Sequence, residues 1–155
     1  MDLYLLRHGI AEDFSADGRD ASRALTPDGI AKLRTYGPML ARMAVAPTQI
    51  LASPLVRAQQ TAAIVAELLG QTHATEPLLG LDFDIDRLAR LIAANRDAAS
   101  LLLVGHEPGM SQTIGDLTGA RAEMKKGALA LVTLSSPAVM SGFLRWLLPP
   151  RALRS

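Results

Sequence analysis

The sequence predicts an α/β fold: a three-layer sandwich whose mixed, mostly parallel sheet carries helices on both faces. Three observations predict it. Short apolar runs alternate with helix-spaced patterns through most of the chain. One run, "SLLLVG" at 100–105, is continuously apolar, as a strand covered on both faces must be. The last two apolar runs stand close enough to pair as antiparallel neighbours, which makes the sheet mixed.

The elements follow in order. "LYLL" at 3–6 is the first strand, and a polar, glycine-containing loop runs from about Ile10 to Arg23. "LTPDGIAKLRTYGPMLARMA" is helical: Thr26 can cap it, Pro27 suits the first turn, and Ile30, Leu33, Met39, Leu40 and Met43 share a face. Gly37-Pro38 is expected to kink or interrupt it. "QILAS" is a short strand. "SPLVRAQQTAAIVAELLG" then opens on a Ser-Pro pair read as a second cap and closes at Gly70. "THATE" is a further strand, and "DIDRLARLIAANRD" has helical spacing through Ile85, Leu88, Leu91 and Ile92. After "SLLLVG", "HEPGM" leads into a helix expected over Ser111–Leu117. "ALALVTL" and "SGFLRWLL", joined by "SSPAVMS", close the chain as two strands. The methionines at 39, 43, 110, 124 and 140 read as core or rim filler, and His73 as a structural residue.

Bulk properties narrow the function. At 155 residues, with no internal repeat and no linker, one domain over 1–155 is expected. Sixteen basic residues against fifteen acidic give a net charge of +1, and aromatic residues make up 4%. That leaves neither the basic field nor the stacking platforms of a nucleic-acid binder. The absence of cysteine removes disulfides, thiolate metal sites and cysteine nucleophiles. No signal-like N-terminus and no spanning apolar run is apparent, so the expectation is a cytoplasmic protein without a membrane partner.

Chemistry gathers at strand ends. Open parallel sheets bind ligands beyond the carboxyl ends of their strands. Here those ends carry Arg7-His8-Gly9, Ser53-Pro54-Leu55-Val56-Arg57 and Gly105-His106-Glu107-Pro108. If the strands are parallel neighbours, two arginines and two histidines converge where helix N-termini also favour an anion. A divalent metal held by the histidines is disfavoured, because an arginine beside each centre would repel it.

"RHG", "SPLVRAQQTA" about fifty residues on, and "GHEP" after a late strand together resemble the histidine phosphatase superfamily, of phosphoglycerate mutase-like fold. The compact length, the "LTPDG" helix start and the form of the second motif are similar to its small SixA-type branch. The resemblance implies that His8 is a transiently phosphorylated nucleophile and that Arg7, Arg57 and His106 form the phosphate pocket, with His106, if protonated, adding a positive donor. It implies no metal and no other cofactor. Two planar guanidinium forks suit the spread charge of a transferring phosphoryl group.

The general acid that protonates an alcohol leaving group in larger members has no matching motif here. The stretch "EPLLGLDFDIDRL" offers Glu76, Asp82, Asp84 and Asp86, the last two of which also suit a helix N-terminus. Imidazole leaves more easily than an alkoxide, so a strong clamp with no evident acid leans toward P–N substrates. The expected function is removal of phosphate from phosphohistidine on a protein. The alternatives are a small-molecule phosphomonoesterase using the same residues, acting on a small phosphorylated substrate, and a low-turnover phosphate-recognising module. A mutase is disfavoured by the short chain. Lys125-Lys126 could touch an acidic partner or the phosphate, but a solvated turn is the reading the pair favours.

Overall fold

The structure is a computed structural model that describes residues 1–136 and 138–155. Among the described residues, one sheet holds β1 (Asp2–Arg7), β2 (Gln49–Ala52), β3 (His73–Thr75), β4 (Ser100–Gly105), β5 (Leu129–Ser136) and β6 (Val139–Leu148). Their order is β3-β2-β4-β1-β5-β6. The first four in that order run parallel, β5 lies antiparallel to β1, and β6 antiparallel to β5. The mixed, mostly parallel sheet expected from the alternating pattern is thus present.

Period-2 alternation divides the core between the two faces. Leu3 and Leu5 of β1, and Leu101 and Leu103 of β4, pack with α4 (Ile85–Ala94) and α5 (Gly109–Thr118). Tyr4, Leu6, Leu102 and Val104 point the other way, to α1 (Pro27–Arg34), α2 (Gly37–Arg42) and α3 (Val56–Leu69). β4 lies between β2 and β1 and is buried at all of its residues, which explains its unbroken apolar sequence. A last short helix, α6 (Pro150–Leu153), adds Leu153 to the α1–α3 side.

The helix signals hold with two corrections. Thr26 caps α1, its Oγ1 accepting from Gly29 N–H at 2.9 Å, and Pro27 fills the first position. The break between α1 and α2 falls at Thr35–Tyr36, just ahead of Gly37-Pro38, because Pro38 has no N–H to continue the ladder. Gly70 ends α3 in the left-handed region at φ 65°. The expected Ser-Pro cap of α3 is absent: the helix begins at Val56, after Leu55, with no side-chain cap. Ser53 sits at the end of β2, fully buried, and Pro54-Leu55 are needed to turn the chain away from the sheet.

α5 begins at Gly109, two residues before the expected Ser111 start. The closing strands come nearer to each other than expected, since β5 runs to Ser136 and β6 starts at Val139. Of the expected connector, Pro137 lies outside the described residues. His73 keeps a structural place, its Nε2 lying 3.1 Å from Gln59 Oε1. Met110 and Met124 are fully buried fillers, and Met39, Met43 and Met140 pack partly buried against the cores. No helix among the described residues is long and apolar enough to cross a membrane.

Candidate active site

Register brings the three strand ends together. Arg7 of β1 pairs with Gly105 of β4, and Ala52 of β2 pairs with Val104. The ladder continues one step past the strands: His8 N–H donates to Gly105 O at 3.0 Å, and Ser53 N–H to Val104 O at 3.0 Å. From the other side Gly127 N–H donates to the carbonyls of Arg7 (3.1 Å) and His8 (2.9 Å). The result is a cleft of about 340 Å³ lined by Arg7, His8, Arg57 and His106, with Asp20, Arg23, Leu81, Glu107 and Lys126 among its walls.

His8 is buried, and its Nδ1 lies 2.7 Å from Gly9 O. A carbonyl only accepts, so Nδ1 carries the proton and Nε2 keeps its lone pair. Arg57 Nε, which only donates, faces that Nε2 at 3.4 Å. Burial pushes the His8 pKa down to about 3; the charges of His106, Arg57 and Arg7 act in the same direction against the Gly9 carbonyl. The ring is therefore neutral at pH 7 with one free nitrogen, the form a nucleophile requires.

Backbone and neighbours hold that ring in place. Gly9 N–H donates to Thr61 Oγ1 at 3.1 Å, and the Thr61 hydroxyl donates to Arg57 O at 2.7 Å. One residue, a helical turn past Arg57, thus ties the His8 loop to α3. Gly9 also passes close to α1: a Cβ there would lie 2.8 Å from Leu33 Cδ1. The glycine of "RHG" answers to that approach.

Arg57 is the second residue of α3 and only 3% exposed. Its Nη1 donates to Asp20 O at 2.8 Å and its Nη2 to Asp20 Oδ2 at 3.0 Å. The hydrogen bond from Arg57, helped by one from Arg23, holds the Asp20 carboxyl below the usual carboxylate range. Arg7 Nη1 donates to Met124 O at 2.9 Å, and its buried Nε has no partner among the described residues. Glu107 Oε2 accepts from the Ser111 hydroxyl at 2.6 Å, and that hydroxyl oxygen accepts from Met124 N–H at 3.0 Å. This chain fixes the carbonyl on which Arg7 rests.

His106 is 3% exposed, its ring centroid 5.2 Å from that of His8 at an interplanar angle of 53°. Its Nε2 lies 2.7 Å from Ser53 Oγ. Burial pushes its pKa down to about 4, seconded by Arg57 and opposed by Asp20. At pH 7 the ring is neutral, because losing water outweighs the nearby carboxylate, so the condition under which His106 would add a positive donor is not met.

The carboxylates of 76–86 do not line the cleft. Glu76 accepts from Leu78 N–H, Asp84 caps α4 by accepting from Arg87 N–H, Asp82 pairs with Arg87, and Asp86 lies in the first turn of α4. Asp20 and Arg23, which do line it, were missed by the sequence reading; the signal present was an acid and a base three apart in the polar loop. Ser53 was read as a cap. Lys126 reaches the cleft wall, while Lys125 pairs with Glu123 on the surface at 2.8 Å.

Two guanidinium forks around a neutral imidazole can hold a tetrahedral dianion and present a lone pair to its central atom. Sequence and fold comparisons place the chain among known proteins. Residues 3–82 match the histidine phosphatase superfamily (branch 1). An uncharacterized protein of Picosynechococcus is 33% identical over 138 residues, covering 83% of this chain and 82% of that protein. The phosphohistidine phosphatase SixA of Escherichia coli is 28% identical over 160 residues, covering 99% of this chain and 97% of that one. The solved structure of the protein histidine phosphatase SixA complexed with tungstate superposes with a TM-score of 0.88 at 27% identity, over 99% of this chain and 100% of the other.

Proposed function

Because the chain belongs to the histidine phosphatase superfamily, we propose that it removes phosphate from phosphohistidine carried on a protein, with His8 as the transient phosphoryl acceptor. The observation that carries this reading is the locked His8 ring, with its proton on Nδ1 against Gly9 O and its Nε2 lone pair in the cleft. The similar SixA structure was solved with tungstate, a tetrahedral anion, which supports a phosphate-shaped cleft here.

In the first step the Nε2 lone pair attacks phosphorus. The P–N bond to the substrate breaks, and a substrate imidazole already protonated at its other nitrogen leaves neutral. Arg7 and Arg57 hold the equatorial oxygens and supply the positive charge the step needs. In the second step water attacks phosphorus, the P–Nε2 bond returns its electron pair to His8, and dihydrogen phosphate leaves with both water hydrogens. The proton stays on Nδ1 throughout, hydrogen-bonded to Gly9 O.

A P–N substrate suits this cleft because no strong acid is poised in it. Among the described residues the carboxylates lining it are Asp20 and Glu107. Asp20 is ionised against Arg57, and both oxygens of Glu107 accept from Ser111. An alkoxide would leave poorly without a proton donor; a protonated imidazole ring needs none.

Rapid-quench single turnover tests the reading. A carrier protein labelled with phosphate on histidine is expected to lose it to the wild type through an acid-labile phosphoenzyme, and His8→Ala is expected to be slower by roughly 10³-fold or more. Equal or faster turnover of alkyl phosphomonoesters would move the function to small molecules. Stoichiometric phosphate binding without turnover of either class would leave a recognition module.

A further inference from the structure

Ser53 was expected to cap a helix and does not, although it stays fully buried at the end of β2. Its Oγ accepts from Leu55 N–H at 3.2 Å and lies 2.7 Å from His106 Nε2. Those are the partners of its side chain among the described residues. A hydroxyl has one hydrogen to give, and a backbone amide can take nothing from it. Among the described residues the one acceptor left for the Ser53 hydrogen is therefore His106 Nε2, which must then be unprotonated. The neutral ring carries its proton on Nδ1, and Nδ1 is buried without a partner among the described residues.

The opposite assignment leaves two groups stranded. If Nε2 donated to Ser53 Oγ, the serine hydrogen would have no acceptor and Nδ1 would hold a bare lone pair. The ring lines the cleft, so its Nδ1 would then have no hydrogen to give a ligand bound there.

We propose that Ser53 is a positioning residue that holds His106 as its Nδ1–H tautomer, so that Nδ1–H donates to an equatorial oxygen of the phosphoryl group. This rests on the phosphatase reading above. It also separates the two rings, which lie 5.2 Å apart and share one tautomer. Gly9 O accepts from Nδ1–H of His8 and leaves Nε2 free to attack phosphorus. Ser53 occupies the Nε2 lone pair of His106 and leaves a proton for oxygen. The serine thus keeps His106 a donor and keeps it from competing for the phosphoryl group.

The test is two-bond 1H–15N correlation of the imidazole rings in the unliganded, 15N-labelled protein at neutral pH. His106 is expected to show a protonated Nδ1 and an unprotonated, hydrogen-bonded Nε2. In Ser53→Ala the ring is expected to become a mixture of tautomers. The kcat is expected to fall by roughly 10- to 100-fold with little change in KM, and Ser53→Thr, which restores a hydroxyl, should recover most of it. A protonated Nε2 in the wild type, or an unchanged tautomer in Ser53→Ala, overturns the proposal. If the alanine variant does not fold, the wild-type spectrum still decides. The spectra need no turnover, so a wild type inactive on phosphohistidine would remove the phosphatase reading and leave this assignment to stand or fall by its own measurement.

Discussion

His8 and His106 must both lose water to do their work, and that loss has a consequence for stability. In the unfolded chain each takes a proton near the ordinary value of 6.5, whereas folded His8 does so at about 3 and folded His106 at about 4. Between those limits the unfolded state binds more protons than the folded one, so stability rises with pH across the window. It is complete above about 6.5 and is lost as pH falls toward about 4 and then 3. The slope approaches ~1.4 kcal/mol per pH unit for each ring. Urea denaturation across this range should show the decline, and His106→Gln should roughly halve the slope. A stability that is flat with pH would contradict buried, neutral histidines. At this scale the sequence was informative about side-chain type: arginine and histidine at a strand end announce an anion. The charge state of His106 was not legible, because desolvation depends on what packs around the ring.

Among the elements, α3 does most to build the site, and it does so through a residue that looked incidental. Thr61 accepts from Gly9 N–H and donates to Arg57 O, joining helix and His8 loop through one hydroxyl. Thr61→Val keeps the shape but leaves the buried Gly9 N–H without an acceptor, a loss of about 1–3 kcal/mol. Chemical denaturation should record it, and the phosphoryl acceptor loop should loosen, lowering kcat. Thr61→Ser should stay near wild type; similar losses in both variants would mean the hydroxyl is not the tie. The start of α3 marks the limit of local reading. Ser-Pro before a helical pattern is a fair cap signal, yet Ser53 faces His106 across the sheet edge instead. Thr26 and Asp84, with the same kind of signal, do cap α1 and α4, their side-chain oxygens accepting from Gly29 N–H and Arg87 N–H.

Across the whole molecule the cleft depends on β4 lying between β2 and β1. Leu102 of this strand is fully buried on the α1–α3 side. Leu102→Ala should cost about 2–5 kcal/mol in urea denaturation, since the neighbouring strands hold the space open. Phosphate affinity of the fraction that remains folded should change little, because the backbone register that aligns Arg7, Ser53 and His106 survives. By itself the sequence determined the alternation of strands and helices, the strand that is buried on both faces, and the side chains delivered at each strand end. These follow from periods of two and 3.6 residues and from local turn chemistry. Only the tertiary structure decided the strand order, the Arg57–Asp20 pair and the Ser53–His106 pair. The residues of those pairs stand 37 and 53 positions apart. No local period records a hydrogen bond over such a span; it exists only once the sheet has set its register.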